Sequence, residues 1–187
     1  LNTKRGVPVL TGAFLKKGEI KMENNDVLVR LRYALEIKNS EVAEIFKLGG
    51  KEIPVPDVVK IFKKIESDDE EINYELKCTN SMLDSFLNGF IIFKRGKQEP
   101  KPDQPAATTE SSIKNKTNVN NIVLKKVKIA LALTTEDMIE VFKLAGLNVS
   151  KGELGAILRK EGHKNYKPCL DSFARAFLKG LAVKYRG

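Results

Sequence analysis

The chain has little of what catalytic and metal centres are usually built from. Its 187 residues include one histidine, His163, and two cysteines, Cys78 and Cys169. No second histidine is present to form a metal pair, and neither cysteine has a Cys or His ligand close by in sequence. Gly146, Gly152 and Gly155 fall in one short stretch, yet the Gly-Lys-Ser/Thr ending of a phosphate loop is missing, as is the dinucleotide fingerprint. Serine-nucleophile motifs are missing too. The expectation is a protein without catalytic residues, metal or cofactor.

Long apolar runs are also lacking. Charges interrupt every hydrophobic stretch before the roughly 18 residues that cross a bilayer, so no membrane partner is expected. Lys4 and Arg5 precede an apolar stretch from Val7 to Leu15, but Pro8, Thr11 and Gly12 make it short and weak as a secretory signal. Two cysteines without such a signal suit a reducing cytosol, and the expected location is cytoplasmic. Both read as small buried thiols, with a contact between them across the molecule as the alternative. Residues 1–21 read as a non-native or upstream-translated leader, with native translation starting at Met22.

What the chain does have is nearly everything twice. Asn24-Asn25-Asp26-Val27-Leu28 through Gly50 recurs as Asn120-Asn121-Ile122-Val123-Leu124 through Gly146, without a gap. Leu28, Ala34, Leu35, Glu44, Phe46, Lys47, Leu48 and Gly50 meet identical residues in the second copy. Cys78, Phe86-Leu87, Gly89 and Arg95-Gly96 likewise return as Cys169, Phe177-Leu178, Gly180 and Arg186-Gly187. This divides the chain into repeat one, residues 22–96, a flexible linker, 97–119, and repeat two, 120–187. The linker opens Lys97-Gln98-Glu99-Pro100-Lys101-Pro102 and shows no burial pattern. A unit of roughly 70 residues has a marginal core on its own, so the copies are expected to pack on each other.

The apolar spacing is helical in both copies. Leu28, Leu31 and Leu35 form one stripe with Ala34 beside them, and Leu124, Val127 and Leu131 form its counterpart. A second helix is expected to start at Asn39 or Thr135 and to stop at Gly50 or Gly146, in the left-handed conformation of a C-terminal cap. A third follows Pro54-Val55-Pro56-Asp57, burying Val58, Ile61, Phe62 and Ile65; in repeat two Ser150 and Glu153 have capping-box spacing. Asn80 and Asp171 are placed to cap a fourth. The expected fold is all-α: two tandem homologous units of about four helices, related by a pseudo-twofold.

Charge is unevenly divided. Repeat one from residue 24 has 11 basic and 13 acidic residues, whereas repeat two has 13 basic and 6 acidic. Lys125, Lys126 and Lys128 lie away from the Leu124/Val127/Leu131 stripe, and Arg159, Lys160, His163 and Lys164 follow. Such a face can neutralise phosphates. The plain alternative is a solvated lysine surface. Positive charge is kept at Arg30/Lys126, Arg32/Lys128, Lys47/Lys143, Lys63/Arg159 and Lys64/Lys160. Repeat one, however, has Asp68-Asp69-Glu70-Glu71 where repeat two has Gly162-His163-Lys164-Asn165. Nucleic-acid binding through the basic face of repeat two is the leading reading. A protein-interaction or oligomerisation module using the groove between the copies comes second, and a small-molecule enzyme third.

The first-repeat residues Asn24-Asn25-Asp26-Val27-Leu28, Arg32-Tyr33-Ala34-Leu35, Cys78, Ser85-Phe86-Leu87-Asn88-Gly89 and Lys94-Arg95-Gly96 resemble those of the YehS-like bacterial proteins. Asn120 to Lys126, His163-Lys164-Asn165-Tyr166, Cys169, Asp171, Phe173 and Phe177-Leu178 resemble their second repeat. The resemblance runs from Met22 to the end of the chain. It implies a tandem domain of unknown function in small cytoplasmic proteins, with no catalytic residues to carry over.

Overall fold

Each apolar stripe becomes a helix with that stripe buried. The computed structural model describes residues 21–66, 73–97, 112–113 and 118–187. Residues 1–20 of the expected leader, most of the expected linker and the acidic run 68–71 lie outside them. Repeat one contains α1 (Asn24–Leu35), α2 (Asn39–Leu48), α3 (Val55–Phe62), a short antiparallel pair β1 (Lys64–Ile65) and β2 (Asn73–Tyr74), and α4 (Asn80–Arg95). Repeat two contains α5 (Val119–Ala130), α6 (Thr135–Leu144), α7 (Lys151–Leu158) and α8 (Asp171–Arg186). Among the described residues the count is therefore four helices per copy, and the β-pair belongs to repeat one.

Local chemistry accounts for most helix ends. Gly50 and Gly146 take φ of 85° and 84°, where a side chain would be strained, and end α2 and α6 as expected. Ser150 accepts from the Glu153 amide at 3.2 Å while Glu153 accepts from the Ser150 amide at 3.0 Å, closing the capping box of α7. Other caps fall one residue earlier than expected. Thr134, not Thr135, caps α6 through Asp137, and Lys38 precedes α2 with its amide held by Glu41. Thr79 caps α4 in place of Asn80, and Leu170 precedes α8. Asn80 and Asp171 are instead taken by other partners, because each accepts from an asparagine of the first helix of its own repeat. Ile65, expected in the core, lies in β1 and is exposed, because α3 ends at Phe62.

The core is built alike in both copies. Phe46 of α2 meets Phe86 of α4 with ring centroids 5.3 Å apart, and their counterparts Phe142 and Phe177 are 5.6 Å apart. All four rings are buried, each contributing about 2–3 kcal/mol by leaving water. Gly89 and Gly180 bring backbones together here. A Cβ on Gly89 would lie 1.7 Å from the Ile45 carbonyl oxygen, and one on Gly180 would lie 1.9 Å from that of Val141.

The copies join through two large contacts, α1 against α8 and α5 against α4. Because α5 and α8 are the counterparts of α1 and α4, a pseudo-twofold exchanges these contacts, as expected. The repeated Arg-Gly pair serves the same junction. Arg95 donates to the Ile129 carbonyl at the end of α5, at 3.3 Å, and Arg186 donates to the Tyr33 carbonyl near the end of α1, at 3.0 Å. A guanidinium at a helix C-terminus satisfies carbonyls that lack an intrahelical donor. Arg186 also lies 4.1 Å over the Tyr33 ring. No helix among the described residues is long and apolar enough to cross a membrane.

Candidate functional site

Two buried asparagines set the geometry of the basic region. In repeat one the Asn25 side-chain amide donates to Ile61 and Leu76 carbonyls at 2.8 and 2.9 Å, while its oxygen accepts from the Cys78 amide at 2.8 Å. Asn121 does the same with Ile157, Lys167 and Cys169, at 2.8, 2.9 and 2.8 Å. Each asparagine thus ties the first helix to the end of the third and to the chain entering the fourth. Beside them Asn24 donates to the Cys78 carbonyl and to Asn80, and Asn120 to the Cys169 carbonyl and Asp171. These side chains are spent on structure. Burial pushes both thiols up to about 12, so Cys78 and Cys169 are neutral core groups rather than nucleophiles. Among the described residues, no group of three or more His, Cys, Asp or Glu side chains is arranged to hold a metal ion.

The clamp at Asn121 fixes the exposed connection between α7 and α8, where four of the candidate residues meet. Arg159, Lys160, His163 and Lys164 are all exposed there. Arg159 donates to the Lys164 carbonyl at 3.0 Å, and Nδ1 of His163 lies 2.7 Å from the same oxygen. Backbone bonds from His163 to Lys160 and from Tyr166 to His163 close two turns, with Gly162 and Asn165 at positive φ. The turns are ordered by their own hydrogen bonds, and their cations face water.

The three α5 lysines divide differently. Lys125 and Lys128 are half-buried and, with Asn121, occur at i, i+4 and i+7 along one face. Lys126 turns to α4. Its ammonium sits 2.5 Å from Asp84 and 2.6 Å from Asn88, with only 13% of the Lys126 and 6% of the Asp84 side chain exposed. Ser112 adds its amide and hydroxyl to Asp84 at 2.9 and 2.7 Å, and Ile113 beside it is buried, so this point of the expected linker is anchored. Burial alone would raise the Asp84 carboxyl, but Lys126 and Ser112 outweigh it and hold it below its usual range. Lys126 is therefore an inter-repeat strut. The sequence does not disclose this, since its partner is 42 residues away on the other copy.

The two repeats differ at the connection itself. In repeat one Lys63 is ion-paired to Glu75 at 2.7 Å. Their counterparts in repeat two are Arg159 and Tyr166, so the carboxylate is replaced by a phenol.

Fold and geometry together define a class: an α-helical protein of two fused, pseudosymmetric repeats. Both repeats, residues 24–96 and 120–187, match the family described as Protein of unknown function (DUF1456), and the chain belongs to that family. It is 38% identical over 163 residues to the Uncharacterized protein YehS of Escherichia coli (strain K12), covering 87% of this chain and 96% of that protein. No solved structure matches the chain.

Proposed function

We propose that this protein binds nucleic acid through phosphate contacts made by the α7–α8 connection of repeat two. One observation carries the reading: at the position where repeat one neutralises Lys63 with Glu75, repeat two places Arg159, which has no carboxylate partner among the described residues, beside exposed Lys160, His163 and Lys164. Lys125 and Lys128 extend the positive surface along α5, and Lys126 is left out because Asp84 neutralises it. Contacts of this kind fix position on a backbone without reading bases.

Fluorescence anisotropy with short DNA and RNA tests it. About four phosphate contacts give a log Kd that changes with log salt by a slope of roughly 3 to 4. The triple variant Arg159→Glu, Lys160→Glu, Lys164→Glu is expected to lower that slope by about 3 and to weaken binding alike for unrelated sequences. Absence of binding to either nucleic acid at low salt disposes of the proposal.

A second reading has one observation in its favour. Val55 and Val59, one turn apart on α3, are 41% and 44% exposed, where repeat two has Lys151 and Gly155. Docking of a protein on that face would depend on these valines and be insensitive to salt.

A further inference from the structure

The two pseudo-equivalent junctions between the copies are chemically opposite. At α4–α5 the cation Lys126 is closed by the Asp84 carboxylate and the Asn88 amide. The matching positions at α1–α8 are Arg30, Arg175 and Lys179, so the carboxylate and amide have both become cations. At this junction Arg186 pairs with Glu36 at 3.5 Å, and a cavity of about 340 Å³ opens between α1, α8 and the β-pair, lined among others by Arg30, Lys64 and Lys179. Among the described residues none of these three is ion-paired. One carboxylate, Asp26, also lines the cavity. Its two oxygens are taken by the Tyr74 hydroxyl at 2.6 Å and the Glu23 amide at 3.1 Å.

We propose that this cavity binds a small phosphate monoester carrying a planar ring, of the nucleoside monophosphate class. The ligand's phosphate takes the role that Asp84 plays at the other junction. Arg30 provides a planar fork of donors suited to a phosphate, and the two lysines provide point charges. The rest of the lining is apolar and aromatic. Tyr33 and Tyr74 present rings beside Val29, Leu178 and Ala182, and Tyr33 is 59% exposed with its ring held by Arg186. Ring surface next to cations is how proteins hold bases and phosphates together. The volume falls at the small end of the ligand-pocket range, which excludes an extended polymer from the cavity itself. The site shares no residue with the α7–α8 connection.

Titration of the full chain with adenosine 5′-monophosphate, followed by amide chemical shifts in two-dimensional NMR, tests the assignment. Saturable shifts are expected at α1, α8 and β2. Lys179→Asn, which installs the residue found at the matching position of repeat one, and Arg30→Gln should each weaken binding at least tenfold without changing the thermal unfolding midpoint by more than a few degrees. Lys164→Glu should leave the affinity unchanged, so loss of nucleic-acid binding and loss of this site are separable. No saturable shift up to about 10 mM, corresponding to a Kd weaker than that range, overturns the proposal. So do shifts confined to the α7–α8 connection, or equal affinity for adenosine or for inorganic phosphate.

Discussion

Asn25 and Asn121 show how much a single buried side chain organises. Each is almost wholly removed from solvent and uses both donors and its acceptor on backbone groups 36 to 53 residues away. Replacing Asn121 by Leu strands two carbonyls and one amide, at about 1–3 kcal/mol for each buried group left unpaired. Urea denaturation of Asn121→Leu should therefore show a loss of at least ~3 kcal/mol, and the nucleic-acid affinity proposed above should fall with it, because the basic turn loses its anchor at Lys167. The repeated Asn-Asn pair is plain in the sequence as a marker of duplication. Its purpose is not, because spacing along the chain carries no information about carbonyls brought in from a distant loop.

Among elements, what was legible followed from short range. Helix spacing, the glycine stops at Gly50 and Gly146, and the Ser150–Glu153 box all depend on residues within about two turns of one another. The misplaced caps at Asn80 and Asp171 have a long-range cause: asparagines of the first helix in each repeat claim those side chains, and the cap passes to Thr79 in one copy. Gly89 and Gly180 are legible only as repeated glycines inside helices, where glycine is locally unfavourable. Packing gives the reason, since the neighbouring helix backbone occupies the place of a side chain. Gly180→Ala is expected to destabilise by at least ~2 kcal/mol despite the better helix propensity of alanine. Thermal unfolding followed by circular dichroism checks the sign, which propensity alone would reverse.

For the whole molecule, the Lys126–Asp84 pair joins the copies and ties the chain at Ser112 to the same point. Removing one member of a buried pair leaves the other uncompensated, at about 3–5 kcal/mol; Lys126→Met should show a loss of that order in urea. The pH dependence has a definite sign. Asp84 has its folded pKa lowered, so its contribution is present above the unfolded carboxyl value of ~3.9 and is lost as pH falls through the lower folded value. Stability should rise with pH across that acid window in the parent protein. In Lys126→Met the rise should shrink, since burial of Asp84 is then opposed only by Ser112; an unchanged profile would show that the pair contributes nothing. The candidate site divides in the same way. The exposed cations of the α7–α8 connection were legible as charge, whereas the withdrawal of Lys126 and the cavity at Arg30 and Lys179 required both copies assembled. Fusion of the copies in one chain has a further consequence. In a dimer of identical subunits every substitution falls on both sides of the axis, so a contact cannot lose its carboxylate at one junction and keep it at the other. Here Asp84 and Arg175 have separate codons, and the halves cannot be diluted apart while one junction changes. Either copy of a contact is therefore free to vary while the other holds the molecule closed.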